Sequence, residues 1–96
     1  MDGDCEFTVV CFDIADDRRR RRAVRVLEAY GHRAQESVFE AWLDRRQRRQ
    51  MEALLAQAVK RSEDRVAIYV LPPADRADIM SVGRGLPAED FRHAVL

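Results

Sequence analysis

The first hydrophobic segment of the chain is residues 7–14, FTVVCFDI, which is apolar at nearly every position. β-Branched and aromatic residues favour a strand, and a strand apolar on both faces is covered on both. Side chains alternate between the faces of a strand, so one face would carry Thr8, Val10, Phe12 and Ile14. The other would carry Phe7, Val9, Cys11 and Asp13. The pattern predicts a central strand that ends in a single carboxylate.

A helix is predicted directly after this strand. Asp16 or Asp17 would cap it, because a carboxylate accepts hydrogen bonds from the free N–H groups of a first turn. Its apolar positions follow helical spacing and are Ala23, Val26, Leu27 and Tyr30. Gly31 is placed to end the helix.

The next segment, HRAQESVFEAWL, predicts two short strands at 33–35 and 38–43, with a break between them at Glu36 and Ser37. Asp44 then caps a second helix, with Gln47 placed for a capping box. The apolar stripe of this helix is Met51, Leu54, Leu55, Ala58 and Val59. Residues 64–72 predict another strand, stopped by two prolines, and residues 79–82 predict a last one.

This order, β-α-β-β-α-β with one extra strand, predicts an α+β, ferredoxin-like domain over residues 1–85 and a C-terminal tail over 86–96. Two helices would cover one face of an antiparallel sheet. A chain of 96 residues leaves much of its surface poorly covered. Since the first strand is apolar on both faces, we expect a second copy to pack on the other face, sheet against sheet.

The net charge is zero, but the charges are segregated along the chain. Residues 1–17 hold six acidic and no basic residues, whereas residues 18–61 hold thirteen basic and five acidic ones. Lys60 is the one lysine among seventeen basic residues. An arginine-rich genome would account for part of this choice, yet arginine also binds phosphate through a planar fork that lysine lacks. The segregation favours a polyanionic partner for the middle of the chain.

Several classes of protein are disfavoured by composition. No run of about 18 apolar residues and no charged-then-apolar leader is present, so we expect a soluble, cytoplasmic protein with no membrane partner. Cys5 and Cys11 make neither a zinc site nor a disulfide framework, and Cys11 reads as a small buried hydrophobe. His32 and His93 read as surface residues rather than general bases.

A family resemblance covers residues 7–85. The segments FDI and DDRRRRR, then RAQESVFE after a glycine, then RVAIYVLP and SVGRG resemble the CRISPR-associated protein two family in order and spacing. This is the small adaptation subunit that partners the CRISPR integrase. The resemblance implies a ferredoxin-like homodimer and a metal-dependent endonuclease acting on single-stranded RNA or duplex DNA. It also implies a scaffold between integrase dimers during spacer acquisition.

The family's strand-end aspartate matches Asp13, which the resemblance makes the catalytic residue and the ligand of Mg²⁺ or Mn²⁺, facing its copy across the dimer. It further implies nucleic-acid-binding or supporting roles for Arg20, Arg22, Arg33, Ser37 and Phe39. Phe12 stands where the family usually has tyrosine, a change that removes one hydroxyl and leaves Asp13 in place.

Ordinary structural roles remain open for several of these residues. Asp13 would also suit a strand end that meets solvent, and Asp16 and Asp17 suit helix caps better than a second metal shell. Ser37 is either a turn residue or a hydrogen-bond donor at the site. Phe39 and Trp42 suit a core or interface, with base stacking as the alternative.

Arginines form two clusters, one at the start of each helix. Five adjacent arginines at 18–22 cover every side of a helix, so only a subset reaches one ligand. The second cluster is Arg45, Arg46, Arg48 and Arg49. If both helices lie on the same side of the sheet, we expect Arg45 and Arg46 to join the first cluster in one surface that binds the phosphate backbone.

Two functions from different classes follow. One is a metal-dependent nuclease centred on Asp13. The other is a non-catalytic scaffold that binds duplex DNA through arginines and docks the integrase through its last strand or tail. A ferredoxin-like RNA-binding module is disfavoured, because the segment VAIYV offers only Tyr69 as an exposed aromatic residue on a central strand.

Overall fold

The computed structural model describes residues 5–71, and six elements follow one another there in the predicted order. The strands are β1 (Glu6–Asp13), β2 (His32–Gln35), β3 (Val38–Leu43) and β4 (Arg65–Leu71). The helices are α1 (Asp17–Glu28) and α2 (Arg45–Ala58). The strand predicted at 79–82, the domain boundary after residue 85 and His93 lie outside the described residues.

The four strands form one sheet in the order β2-β3-β1-β4, and each neighbouring pair is antiparallel. Val10 on the central strand β1 lies opposite Phe39 on β3 and Ile68 on β4. Both helices pack on one face, as the split βαβ arrangement requires. The predicted ferredoxin-like α+β fold is confirmed.

The core fills the space between the helices and this covered face of the sheet. On α1, Ala23 and Leu27 are buried, with Val26 and Tyr30 packed at the margin, as predicted. On α2 the buried positions are Met51, Leu55 and Ala58. Leu54, predicted in the same stripe, is 43% exposed, so this part of the prediction is wrong. The helix buries a narrower stripe than its leucines suggest.

Both helix starts are capped as predicted. The Asp16 side chain accepts a hydrogen bond from the Arg19 backbone N–H at 2.9 Å, and Asp44 accepts one from Gln47 N–H at 2.7 Å. The Gln47 side chain in turn accepts from Asp44 N–H at 2.9 Å, which completes the capping box. The caps fix where each helix leaves the sheet.

The end of α1 differs from the prediction. The helix stops at Glu28, with Ala29 as its C-cap, so Gly31 is not the terminating residue. A Cβ atom on Gly31 would lie 2.2 Å from the Glu40 carbonyl oxygen and 2.6 Å from the Ala41 Cβ. Glycine is needed here because the chain passes directly against β3.

The face of the sheet opposite the helices is called the open face. Its side chains form rows across the strands. The first row is Trp42, Phe7 and Leu71, and the second is His32, Glu40, Val9 and Tyr69. The third row is Val38, Cys11 and Ala67, and the last is Asp13 and Arg65. Cys11, predicted as buried, is half-buried on this face.

Phe7 in the first row is the centre of a small apolar cluster. The rings of Phe7 and Trp42 lie 5.3 Å apart, and Val9 and Leu71 pack against Phe7. Tyr69 in the second row is 55% exposed. The predicted alternation of β1 is therefore confirmed, with apolar side chains on both faces. Neither helix between residues 5 and 71 is long and apolar enough to cross a membrane.

Candidate functional site

Asp13 lies at the mouth of a cleft where three elements meet. The cleft has a volume of about 480 Å³, and its lining residues are Phe12, Asp13, Ile14, Arg20, Glu36 and Ser37. The backbone N–H of Phe12 donates to the Ser37 carbonyl at 3.1 Å, which holds the β2–β3 turn against the end of β1. Asp13 and Arg20 are thereby brought beside Ser37, so three predicted site residues share one cleft.

Arg20 holds the chain that follows Asp13. Its Nη1 donates to the carbonyl oxygens of Ile14 at 2.9 Å and Ala15 at 3.4 Å, and its Nη2 pairs with Asp17. The side chain remains 42% exposed. Arg20 therefore fixes the β1–α1 connection and also lines the cleft.

Arg22, the other arginine predicted from the first helix, is on a different side of α1. It is exposed, and two helical positions rotate it roughly 200° away from Arg20. The structure brings Arg20 to the Asp13 cleft and does not bring Arg22 there.

Arg19 makes a contact that sequence reasoning missed. Its Nε donates to one oxygen of Asp64 at 2.7 Å and its Nη2 to the other at 3.2 Å, and Nη2 also reaches Glu63 at 3.2 Å. The pKa of the Asp64 carboxyl is lowered, most by the hydrogen bond from Arg19 and next by the one from the Lys60 backbone N–H. This clamp ties α1 to the turn before β4. No local signal reveals it, because the partners are 45 residues apart.

Phe39 and Arg33 form a second pair, on the covered face. Phe39 is 1% exposed, and the Arg33 guanidinium carbon lies 5.5 Å from its ring centroid, within cation–π range. Because it is buried, Phe39 cannot stack on a base, and its ring instead lies beneath the Arg33 guanidinium. Arg33 belongs to an exposed basic surface, the α1 surface, formed by Arg20, Arg21, Arg25 and Arg33.

A separate basic surface, the α2 surface, is formed by Arg45, Arg46 and Arg49 beside Gln50. All three arginines are exposed. Arg48, the fourth member of the predicted cluster, instead pairs with Glu6 at 2.9 Å and with Glu52 at 3.6 Å. Ion pairs within the chain therefore hold Arg19 and Arg20 of the first predicted cluster and Arg48 of the second.

The helices lie on the same side of the sheet, but their N-termini lie at opposite ends. α1 begins after Asp13, whereas α2 begins after Leu43, which lies opposite Glu6 at the other end of β1. A 14-residue helix is about 21 Å long, so a duplex would have to extend over about six base pairs to reach both N-termini. The two arginine clusters are separate surfaces, and only an extended ligand joins them.

A divalent cation at Asp13 would find one carboxylate in each copy of the chain. Between residues 5 and 71, no three acidic, histidine or cysteine side chains lie close enough together to hold a metal. Mg²⁺ is commonly bound by one or two carboxylates, with water completing its shell. One exposed Asp13 supplies the smaller of these numbers, and a second copy of the chain would supply the second carboxylate.

Glu40 is a second feature that sequence reasoning missed. Its side chain is only 13% exposed, and one carboxylate oxygen lies 3.6 Å from Nε2 of His32. Burial raises the pKa of Glu40, while His32 acts in the opposite direction. Phe39 and Ala41, on either side of Glu40 in β3, are apolar and predict that Glu40 lies on the opposite face of the sheet, the open face. Its own burial could not be inferred, because a solvated open face would have left it exposed.

Comparison with known proteins agrees with this geometry. The family model described as CRISPR associated protein Cas2 matches residues 6–79. A CRISPR-associated endoribonuclease Cas2 of Thermus thermophilus is 43% identical over 67 residues, which cover 70% of this chain and 71% of the relative. One from Chloroflexus aurantiacus is 37% identical over 87 residues, covering 91% and 94%.

Among solved structures, a chain of a partial Cas6-RT-Cas1–Cas2 complex is 32% identical with a TM-score of 0.69. The match covers 88% of this chain and 97% of that one. The fold and the cleft define the class of protein: a small ferredoxin-like protein with an aspartate at a strand end and exposed arginines. The chain belongs to the Cas2 family of CRISPR associated proteins.

Proposed function

We propose that this chain acts in CRISPR adaptation as a homodimer that binds nucleic acid and partners the CRISPR integrase, cutting phosphodiester bonds with Mg²⁺ or Mn²⁺ held by Asp13. The observation that carries the proposal is the cleft in which Asp13 lies beside Arg20 and Ser37. The solved complex with a similar chain supports the integrase as partner.

The open face supports the homodimer. The exposed ring of Tyr69 and the half-buried side chains of Val9, Trp42 and Leu71 would lose contact with water if a second copy packed on them, which is favourable for association. Asp13 lies in the last row of the same face. A two-fold axis near that row would bring two Asp13 carboxylates together, so that both could bind one ion.

Each residue of the cleft would have a distinct role. A bound divalent cation would stabilise negative charge on the phosphate and lower the pKa of a coordinated water. Asp13 would hold the ion, and Arg20 keeps the loop after Asp13 in place. The Ser37 hydroxyl, exposed at the turn, would donate a hydrogen bond to a phosphate oxygen. The names of the Thermus and Chloroflexus relatives support RNA as a substrate.

Cleavage assays with Asp13→Asn test the catalytic half of the proposal. Single-stranded RNA and duplex DNA would each be incubated with the parent, with Asp13→Asn and with Glu28→Gln, in Mg²⁺ or Mn²⁺. Glu28 is exposed at the end of α1, so its change removes one carboxylate away from the cleft. We expect Asp13→Asn to fall to the level seen with a chelator, and Glu28→Gln to match the parent. Equal cutting by all three proteins would contradict catalysis at Asp13.

A non-catalytic scaffold is the second candidate, and the position of the α2 surface favours it. Arg45, Arg46 and Arg49 project from the end of the molecule opposite Asp13, where they can contact phosphates without delivering them to the cleft. On this reading the arginines bind a duplex by its backbone, and the chain beyond the described residues docks the integrase.

Spacer-acquisition assays separate the candidates. Arg45→Glu/Arg46→Glu should abolish acquisition and duplex binding if the scaffold reading is correct, whereas Asp13→Asn should leave both intact. Lys60→Glu/Arg61→Glu reverses the same number of charges at the other end of α2, also removes the Lys60–Glu63 ion pair, and should retain binding. The opposite result, in which acquisition is retained by Arg45→Glu/Arg46→Glu and lost with Asp13→Asn, would contradict the scaffold function and support the nuclease.

A further inference from the structure

Glu40 is the acidic side chain in the middle rows of the open face. Val9 lies beside it on β1 and His32 lies beside it on β2, and Tyr69 of β4 ends the same row. Along β3 its neighbours on this face are Val38 and Trp42. These neighbours are largely apolar, and the Glu40 side chain is 13% exposed even with the open face uncovered by any element of residues 5–71.

The hydrogen bonding of this carboxylate is incomplete. Its Oε1 atom is buried and accepts no hydrogen bond from residues 5–71, and its ion-pair partner His32 stands at 3.6 Å. A buried carboxylate is costly unless it is paired or protonated. Burial already raises the pKa of Glu40 in the separate protomer. Covering the open face would bury the carboxyl further and raise this pKa more.

Few other ionisable groups face Glu40 from the elements around it. They are the Cys11 thiol and Asp13 on β1, His32 on β2, and the Tyr69 phenol and Arg65 on β4. Both helices pack on the opposite face. Arg65 stands in the last row, two rows from Glu40 and level with Asp13. The charge at the centre of the open face is therefore set mainly by Glu40 and His32 together.

We propose that the Glu40–His32 pair makes the association of two open faces pH-dependent, with tighter association in mild acid. This inference rests on the proposed homodimer. Imidazoles lose their charge between pH 5 and 8. While Glu40 is ionised, a second copy would have to bury a carboxylate whose Oε1 atom accepts no hydrogen bond from residues 5–71.

A proton that the pair takes up in acid cancels the negative charge that a second copy would otherwise have to bury. An acid whose pKa is higher in the covered state gives stability that is present at low pH and lost as pH rises through that pKa. Association should therefore take up protons. The dissociation constant should rise by at most roughly tenfold per pH unit for each proton taken up.

Sedimentation velocity across a concentration series tests the proposal, at constant ionic strength between about pH 6 and about pH 8.5. The parent should dissociate progressively as the pH rises. Glu40→Gln keeps the shape of the side chain and removes its charge, so its dimer should not tighten in acid. Glu28→Gln, the same change at an exposed site, should follow the parent.

A second variant makes the result independent of how Glu40→Gln behaves. His32→Lys supplies a cation that stays charged over this range, so its dimer at the upper pH should be as tight as that of the parent at the lower pH. A parent-like slope in Glu40→Gln or in His32→Lys would overturn the proposal. A parent dimer whose affinity does not change with pH would overturn this inference alone, whereas a parent that stays monomeric throughout would overturn the homodimer.

Discussion

The two faces of the sheet differ in what covers them. The covered face packs Val10, Phe12 and Phe39 beneath two helices, and each of these side chains is at most 6% exposed. The open face has similar apolar content at its first row, but it also carries Glu40, His32, Asp13 and Arg65. Folding of one protomer therefore depends mainly on the covered face. The open face keeps ionisable groups that a second copy or a ligand would meet.

Substitution of one large aromatic residue on each face should give the largest difference in protomer stability between the two faces. Phe39→Ala should cost about 3–5 kcal/mol of the free energy of unfolding, because it leaves a cavity in the core. Tyr69→Ala should cost the separate protomer less than about 1 kcal/mol, since the ring is 55% exposed. Urea unfolding at protomer concentrations that prevent association would measure both values.

Tyr69→Ala should still act on the assembly. It should weaken association in sedimentation experiments while leaving the protomer folded. A Tyr69→Ala protomer as unstable as Phe39→Ala would mean that the open face contributes to folding as much as the covered one, and the distinction between the faces would fail.

Two adjacent valines give a sharper version of the same contrast. Val10→Ala, on the covered face at 1% exposure, should cost about 2 kcal/mol of the free energy of unfolding. Val9→Ala, half-buried on the open face, should cost the separate protomer less than about 1 kcal/mol and should weaken dimerisation. The strand and the substitution are the same, so only the face differs. Equal losses of protomer stability would argue against the comparison.

The two faces should also respond to acid with opposite sign. Hydrogen bonding lowers the pKa of Asp64, on the helix side, below its ordinary value of 3.8, so this carboxylate stabilises the protomer above that pH. The contribution is lost as pH falls through the lowered pKa. Burial raises the pKa of Glu40, so its ionised form disfavours the covered state as pH rises.

Asp64→Asn tests the helix side of this contrast and should have the smallest effect. The variant should melt at a lower temperature than the parent near neutral pH, and the difference should shrink as the pH falls through the lowered pKa of Asp64. Asp17→Asn, which alters an exposed ion pair of α1, is the control and should change little. A difference in melting temperature that does not depend on pH would contradict a role for the ionised carboxylate.

Most of the fold could be predicted from the sequence, because the signals are local. The bounds of β3 and both helix caps follow from alternation and from carboxylates placed before helical stripes. The predictions for Leu54 and Gly31 are wrong because the roles of these residues depend on neighbouring elements. Which leucine of α2 is buried depends on where the sheet lies beneath the helix. Residue 31 must be glycine because β3 leaves no space for a side chain.

The candidate site was predicted less completely. Asp13, Arg20 and Ser37 come together as the resemblance implied, whereas Arg22 lies on another side of α1. The tie between Arg19 and Asp64 could not be predicted, because it joins residues 45 positions apart that carry no pairing signal. The burial of Glu40 was also unpredictable, since it depends on side chains from three strands.

The arginines at 18–22 serve two purposes, since all of them contribute positive charge but only some of them make specific contacts within the protein. Arg19 and Arg20 use their forked guanidinium groups to hold Asp64 and the carbonyl of Ile14, while Arg22 is free of such geometry in the contacts described. Replacing the whole block by lysine would preserve its electric field but remove the forks. A lysine version would therefore still draw in a polyanion, yet it would hold the β1–α1 loop and the turn before β4 less firmly.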